Sequence, residues 1–103
     1  MITLQEITAA TGGRCAFTGN PEFSGINTDT RTIAAGELFI ALKGETFDGH
    51  AYAAKAAENG AAGIVASRPV EAPETVPVVY VADTLQAYQD IAHAYRMRFK
   101  DLK

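Results

Sequence analysis

The sequence predicts an α/β fold: a single small, three-layer-like domain with helices packed on a short, partly parallel sheet. Short apolar runs rich in β-branched residues alternate along the chain with segments of helical periodicity, a pattern typical of α/β layering. A length of 103 residues supports one hydrophobic core. No repeat, low-complexity tract or linker interrupts the pattern. We therefore expect one domain over residues 1–103.

The N-terminal segment begins with a helix signal. Thr3 and Glu6 have the spacing of a capping box, and Gly12 with Gly13 is expected to end the helix. The segments that follow are a strand over residues 14–17, a turn over 19–21 and a second strand over 23–28.

An apolar run at residues 38–42 predicts a buried strand, which follows a turn at residues 34–37. Asp48 and Gly49 then open a helix that ends at residues 59–60. Small side chains should allow this helix to lie close against the sheet. The residues expected on its buried face are Tyr52, Ala53, Ala56 and Ala57.

The C-terminal third predicts two strands and a long helix. The strands span residues 63–67 and 76–81, and Pro77 favours either an edge position or the first residues of the second strand. Asp83 or Thr84 is expected to cap the helix. Its predicted apolar stripe consists of Leu85, Tyr88, Ile91, Ala92, Tyr95 and Phe99.

Composition and charge exclude several classes of function. A net charge of −3 and a pI near 5.2 give no footprint for nucleic-acid binding. Cys15 is the only cysteine, so we predict neither an intrachain disulfide nor a cysteine zinc site. The N-terminus lacks a secretory pattern, and no apolar run reaches the roughly 20 residues that span a bilayer. We expect a cytoplasmic protein, or a piece of one, without membrane insertion.

Motifs for independent catalysis are missing from the sequence. It lacks a Gly-Lys-Thr or Gly-Lys-Ser phosphate loop and the dinucleotide-binding, serine-hydrolase and zinc-protease motifs. His50 and His93 lie on different predicted helices, without a second histidine at metal-ligand spacing. We therefore expect no catalytic residue, metal or cofactor in this chain, and predict that any role in catalysis consists of holding a ligand.

Two polar clusters flank the predicted buried strand, at residues 27–31 and 43–50. Ligands tend to bind at the carboxyl edge of parallel α/β sheets, and a helix N-terminus favours anions. The planar fork of Arg31 suits phosphate or carboxylate, and the ring of Phe47 could stack on a planar group. The clusters thus predict a site for an anionic ligand.

A purely structural interpretation of the same residues stays open at this point. Asp29 and Asp48 would only cap a turn and a helix. Arg31 would only pair with Glu37, and Phe47 would fold back into the core. The residues alone therefore indicate an α/β module that either holds a ligand or uses these side chains to stabilise its own loops.

Five short motifs follow one another over residues 26–67. They are Asp29-Thr30-Arg31, Gly36-Glu37-Leu38-Phe39, Ala41-Leu42-Lys43-Gly44, Asp48-Gly49-His50 and Gly60-Ala61. In order and spacing they resemble the N-terminal domain of the Mur ligases, the ATP-dependent amide ligases of peptidoglycan synthesis. The family pattern is D-[ST]-R, then [PA]-G-[DE]-L-F-x-A-L-x-G, then [FA]-D-G-H and a helix ending in G-A.

The resemblance implies that this chain binds the UDP end of a UDP-linked muramoyl peptide and is cut before a central ATPase domain. In the intact enzyme, ATP would activate the peptide's terminal carboxylate as an acyl phosphate. The ATP and magnesium sites would belong to the central and C-terminal domains of the same parent chain. The last helix resembles that of the members that add D-alanyl-D-alanine; the members that add the third amino acid are the alternative.

The resemblance also implies a set of site residues. Those implied for substrate binding are Thr28, Thr30, Arg31, Glu45, Thr46 and Phe47. The first two would face the uridine diphosphate, with Arg31 as a contact or a brace, and the last three occupy the loop against uracil and ribose. The supporting residues are Asp29, Asp48 and His50.

Two hypotheses from other classes remain. A non-enzymatic interaction module would dock a partner through Tyr88, Tyr95 and Phe99 on the last helix. A free-standing regulator would reuse the fold without the ligase reaction.

Overall fold

The computed structural model of the protein describes residues 2–44 and 48–100, with side chains up to residue 97 within those ranges. The elements in chain order are β1 (Ile2–Thr3), α1 (Leu4–Thr11), β2 (Glu22–Phe23), β3 (Ile26–Asn27), β4 (Leu38–Ile40), a 3-10 helix (Gly49–Tyr52), α2 (Ala53–Glu58), β5 (Gly63–Ala66), β6 (Val78–Tyr80) and α3 (Thr84–Lys100). Strands β3 to β6 form one parallel sheet in the order β3-β4-β5-β6, and β1 pairs with β2 in a separate antiparallel ribbon. The predicted α/β fold is therefore confirmed.

The caps predicted for the first and last helices are confirmed. Thr3 Oγ1 accepts a hydrogen bond from Glu6 N at 3.2 Å, and Glu6 Oε1 accepts one from Thr3 N at 2.9 Å. Gly12 ends α1 in the left-handed region at φ 70°, where glycine is favoured. Asp83 Oδ1 accepts from Leu85 N at 2.9 Å, so Asp83 rather than Thr84 caps α3.

Two strand predictions in the first third of the chain are wrong in detail. Residues 14–17 form no strand, since Arg14 alone makes an isolated antiparallel bridge to Tyr80. The strand predicted over 23–28 is divided at Ser24, which bends the chain so that β2 pairs with β1 and β3 joins the main sheet. The short β1 was not predicted because a two-residue strand carries no periodicity.

The parallel sheet is covered on both faces, which gives the three layers expected. On one face, side chains of α1 and α3 pack with Leu38, Ile40 and Val65. On the other face, Ala53 and Ala56 of α2 pack with the second hydrophobic cluster, in which their small side chains let the helix approach the sheet closely. Full burial of each large apolar side chain stabilises the fold by roughly 1.5–3 kcal/mol.

The apolar faces predicted for the last two helices are each wrong at one residue. On α3, the buried face runs through Thr84, Ala87 and Ile91, so Leu85 is turned away from it and is 54% exposed. In the 3-10 helix, Tyr52 precedes the buried Ala53 and is 44% exposed. Both side chains are therefore exposed rather than part of the core.

The aromatic stripe of α3 does not supply the surface that an interaction module requires. Tyr88 and Tyr95 are partly buried and pack against the core cluster on their side of the sheet. The side chain of Phe99 lies outside the described residues. Within the described parts of the chain, no helix combines the length and the apolar character needed to cross a membrane.

Gly63 tests how tightly β5 packs against its neighbours. A Cβ atom there would lie 2.7 Å from a ring carbon of Phe23 and 3.0 Å from Leu38 Cδ1. We expect Gly63→Ala to lower the free energy of unfolding by about 1–3 kcal/mol, measured by chemical denaturation. Gly25→Ala is the matched control, since its Cβ would meet only the flexible end of Glu37, at 3.4 Å. Equal stability of the two variants would contradict this packing.

Candidate functional site

A cleft of about 730 Å³ lies at the carboxyl edge of the parallel sheet, where β3 and β4 end. It is formed by the first loop (residues 28–31, after β3) and by residues 42–44 of the second loop (the segment between β4 and the 3-10 helix), together with Tyr52 of the 3-10 helix and Leu85 of α3. The two polar clusters that the sequence places on either side of a buried strand thus meet at one site. Its lining residues are Thr28, Asp29, Thr30, Arg31, Leu42, Lys43, Gly44, Tyr52 and Leu85.

The first loop is held by its own side chains. Asn27 Oδ1 accepts a hydrogen bond from Asp29 N at 2.9 Å, and Asp29 Oδ1 accepts one from Arg31 N at 2.9 Å. These are the local side-chain-to-backbone bonds that fix turns. Asn59, at the end of α2, donates from Nδ2 to the carbonyl of Thr30 at 2.9 Å. The loop is therefore fixed both internally and to the neighbouring helix.

Arg31 pairs with Asp29 inside this loop. Arg31 Nη2 lies 2.8 Å from Asp29 Oδ2, and Nε lies 3.0 Å from Asp29 Oδ1. Hydrogen bonds from the Arg31 side chain and from its backbone N–H lower the pKa of Asp29 from 3.8 to about 2. The alternative pairing of Arg31 with Glu37 is wrong, because Glu37 Oε1 accepts from Ala34 N at 2.8 Å and from Asn27 Nδ2 at 3.2 Å.

The base of the second loop is closed by backbone contacts. Lys43 and Asp48 form an isolated antiparallel bridge, and Gly49 N donates to Leu42 O at 2.7 Å. A Cβ atom at position 49 would lie 3.0 Å from the backbone N and O of Leu42, which explains why the Asp-Gly-His motif carries glycine there. The bridge leaves Lys43 and Gly44 facing the cleft.

Asp48 and His50 fasten the second loop to the end of β5. Asp48 Oδ1 accepts from His50 N at 3.0 Å and thereby caps the 3-10 helix. The imidazole, whose side chain is 2% exposed, contacts Asp48 Oδ1 through Nδ1 at 2.8 Å and accepts from Ser67 N through Nε2 at 2.9 Å. Because the backbone N–H of Ser67 can only donate, this bonding assigns the ring proton to Nδ1.

Asp48, His50 and Ser67 lie at the distances of a hydrolytic Asp-His-Ser triad, but the imidazole is not free to act as the base. Ser67 Oγ lies 3.2 Å from His50 Nε2, yet the lone pair of Nε2 already accepts the backbone N–H of Ser67. A nitrogen engaged in this way cannot take the hydroxyl proton as a general base. The arrangement therefore holds two loops together and does not activate a nucleophile.

Arg68 completes this group through an ion pair from Nη2 to Asp48 Oδ2. Burial would raise the pKa of Asp48, but hydrogen bonds from the ring and backbone of His50 and from Arg68 hold it well below the usual range of a carboxyl group. Asp48 therefore stays ionised at neutral pH and keeps all of these bonds.

The predicted site residues fall into three groups. Thr28, Thr30 and Arg31 line the cleft, together with the supporting Asp29. Asp48 and His50 stand behind the second loop, where they hold its base. Glu45, Thr46 and Phe47 lie outside the described residues.

Sequence reasoning missed four side chains that line the cleft, those of Leu42, Lys43, Tyr52 and Leu85. Leu42 was assigned to the end of the buried strand. Lys43 belongs to the second polar cluster, and its position directly after the buried strand could have identified it. Tyr52 and Leu85 were assigned to buried faces, and only the observed rotation of their helices shows that they reach the cleft. Within residues 2–44 and 48–100, no group of three or more histidine, cysteine, aspartate or glutamate side chains is arranged to hold a metal ion.

A family model described as "Mur ligase family, catalytic domain" matches residues 22–96, which is most of the chain. The chain belongs to the Mur ligase family. The match includes both loops of the cleft and every strand of the parallel sheet. The family model and the spaced motifs over residues 26–67 thus indicate the same family.

Curated relatives of this Mur ligase segment include two kinds of ligase. The UDP-N-acetylmuramoyl-tripeptide–D-alanyl-D-alanine ligase of Synechocystis sp. is 52% identical over 75 residues, which cover 72% of this chain and 16% of the relative. The UDP-N-acetylmuramoyl-L-alanyl-D-glutamate–2,6-diaminopimelate ligase of Halalkalibacterium halodurans is 42% identical over 81 residues, 79% of this chain and 16% of the relative. The chain thus spans only a small part of the relatives it matches.

Solved structures similar to this Mur ligase segment include MurF enzymes, which are the D-alanyl-D-alanine ligases of the family. A crystal structure of MurF from Acinetobacter baumannii superposes with a TM-score of 0.80 at 31% identity, covering 94% of this chain and 21% of that one. The MurF ligase of Thermotoga maritima, solved in complex with ADP, gives a TM-score of 0.59 at 25% identity, covering 74% of this chain and 17% of that one.

The Asp29–Arg31 pair predicts a pH-dependent loop. Since the folded pKa of Asp29 is depressed from 3.8 to about 2, the pair stabilises the loop fully above about pH 4 and is lost as the pH falls through about 2. We expect Arg31→Gln to raise the pKa of Asp29 toward 3.8, measured by NMR titration of the side-chain carboxyl. Arg96→Gln, on the exposed surface of α3, is the control. An unchanged titration in Arg31→Gln would refute the pair.

Proposed function

We propose that this chain is the N-terminal domain of an ATP-dependent Mur ligase and binds the UDP end of a UDP-N-acetylmuramoyl peptide. The observation that carries the proposal is the cleft at the carboxyl edge of the sheet, where the two family motif loops meet. Its volume of about 730 Å³ falls within the range of small-molecule sites. The proposal assigns no catalytic residue to the chain.

The chemistry of the lining suits a nucleotide. Thr28 and Thr30 offer hydroxyl groups that can donate to phosphate or ribose oxygens. The apolar residues of the lining, Leu42, Tyr52 and Leu85, are here called the apolar wall and offer surface on which the flat uracil ring can pack. A site with an apolar wall and a few convergent polar groups is typical of small-molecule recognition.

The reaction itself would take place in other parts of the parent chain. ATP would activate the terminal carboxylate of the peptide as an acyl phosphate, which the incoming amine attacks. The present sequence contains no Gly-Lys-Thr or Gly-Lys-Ser phosphate loop, so its residues do not fit an ATP site. ATP, magnesium and the amine are assigned to central and C-terminal domains of a cytoplasmic parent enzyme, and this chain's share is to hold the distant end of the substrate.

We further propose that the parent ligase adds D-alanyl-D-alanine. Support comes from the relative in Synechocystis sp., at 52% identity, and from the MurF structures of Acinetobacter baumannii. The alternative is addition of the third amino acid, since diaminopimelate-adding relatives match at 41–46% identity. Assay of the full-length parent with each amine would decide between them: ligation of diaminopimelate and not of D-alanyl-D-alanine would favour the alternative.

Binding of UDP to this chain tests the proposal directly. We expect chemical-shift changes in the residues of the two loops when UDP is titrated into the labelled protein and followed by NMR. Thr30→Ala should weaken binding by about 1 kcal/mol, roughly fivefold, because it removes one hydroxyl contact. Thr18→Ala, an exposed threonine outside the cleft, is the control. Absence of shift changes at saturating UDP, or equal affinity of wild type and Thr30→Ala, would count against this site.

The apolar wall generates a separate prediction. Packing of a base against an aromatic ring contributes roughly 1–3 kcal/mol, so Tyr52→Ala should weaken UDP binding about tenfold. Met97→Ala removes a side chain of similar exposure, 42% against 44%, on a part of α3 away from the cleft and should leave the affinity unchanged. The same loss in both variants would show that exposed apolar area in general, and not the wall, affects binding.

A further inference from the structure

Two cationic side chains line the cleft, and they differ in how their charge is used. The guanidinium of Arg31 is paired with the carboxylate of Asp29: Nη2 lies 2.8 Å from Oδ2, and Nε lies 3.0 Å from Oδ1. This pair carries no net charge, and the Arg31 side chain is 86% exposed. An anion that approached Arg31 would also meet the carboxylate of Asp29. The pair is therefore better suited to shaping the first loop than to attracting phosphate.

Lys43 is the second cation, and it lies in the second loop, three residues after the end of β4. The ion pairs among the described residues join Arg31, His50, Lys55 and Arg68 to carboxylates and do not include Lys43. The described lining thus contains one carboxylate and two cations, which leaves the charge of Lys43 uncompensated within it. An ammonium group on a flexible stem acts as a point charge that can reach phosphate oxygens.

The position of Lys43 is fixed by a chain of contacts that begins on the neighbouring strand. Ser67, at the end of β5, donates its N–H to His50, and His50 contacts Asp48 through its other ring nitrogen. Asp48 in turn forms the backbone bridge with Lys43. The buried imidazole therefore connects the end of β5 to the residue that presents the cation.

We propose that Lys43 is the anion-binding residue of the cleft, where it takes the diphosphate of the ligand, and that His50 is the positioning residue that sets it. This inference rests on the proposed nucleotide function and adds to it which residue supplies the charge. The affinity for the uncharged nucleoside should therefore not change when Lys43 is replaced, whereas the affinity for the nucleoside diphosphate should fall.

The first experiment compares UDP with uridine by NMR titration at several potassium chloride concentrations. Lys43→Met should weaken UDP binding about tenfold and flatten its salt dependence, with uridine binding unchanged. Lys55→Met is the matched control, because Lys55 is an exposed lysine of α2 outside the cleft lining and should change neither ligand.

The second experiment tests the positioning role through a double-mutant cycle. His50→Ala should weaken UDP binding, and Lys43→Met should add little to it, because the cation is already misplaced. His50→Gln restores an acceptor near the Ser67 N–H and should recover part of the affinity; it also serves if His50→Ala fails to fold. In the wild type, the ¹⁵N spectrum of the His50 ring should show the proton on Nδ1. Full additivity of the two losses would overturn the positioning role.

The outcomes separate this inference from the function on which it rests. If wild type binds neither UDP nor uridine, the proposed function fails and the inference fails with it. If wild type binds UDP and Lys43→Met binds it equally well with the same salt dependence, only the inference is overturned. Equal losses for UDP and uridine would also overturn it, because Lys43 would then act through the fold.

Discussion

The burial of β4 is the constraint on which the cleft depends. Leu38, Phe39 and Ile40 are all 0% exposed, and the strand is hydrogen-bonded in parallel to β3 on one side and β5 on the other. In a parallel sheet, the carboxyl ends of neighbouring strands meet at the same edge. The loops after β3 and β4 must therefore come together, whatever their own residues prefer. The polar clusters become a site because an apolar strand lies between them.

The first loop and the base of the second loop are held by contacts within the chain. The first loop uses Asn27 and Asp29 for its turn and Asn59 for its tie to α2. At the base of the second, the buried His50 is bonded on both ring nitrogens. A site arranged in this way loses less conformational entropy on binding than one built from free loops, so more of the contact energy appears as affinity. Asp29 and Asp48, which the sequence suggests as capping residues, thus determine the shape of the two loops that border the cleft.

The sequence was sufficient for the fold class and for the location of the cleft. Capping residues and helical periodicity predicted α1 and α3, and the apolar run predicted the buried strand. The spaced motifs identified the two loops. The division at Ser24 and the exposure of Tyr52 and Leu85 were not accessible in this way. Each depends on a choice between tertiary partners or on a rotation of one residue about a helix axis, which periodicity alone does not fix. The pairing of Arg31 with Asp29 rather than Glu37 likewise depends on the turn geometry set by Asn27.

The contacts that hold the two loops also bear on the proposed function, in which this chain would hold a part of the substrate that does not react. Contacts to a part of the substrate that does not react are the same in the ground state and in the transition state, so by themselves they do not accelerate the chemical step. They contribute to the rate only if they fix where the reacting end of the substrate lies, and a mobile binding site would not fix it. Cross-links such as Ser67 to His50 to Asp48 supply the needed stiffness at the point where the second loop leaves the sheet. On the proposed function, the contacts at the base of the second loop would therefore matter by fixing where the bound substrate, and with it the reacting end, lies.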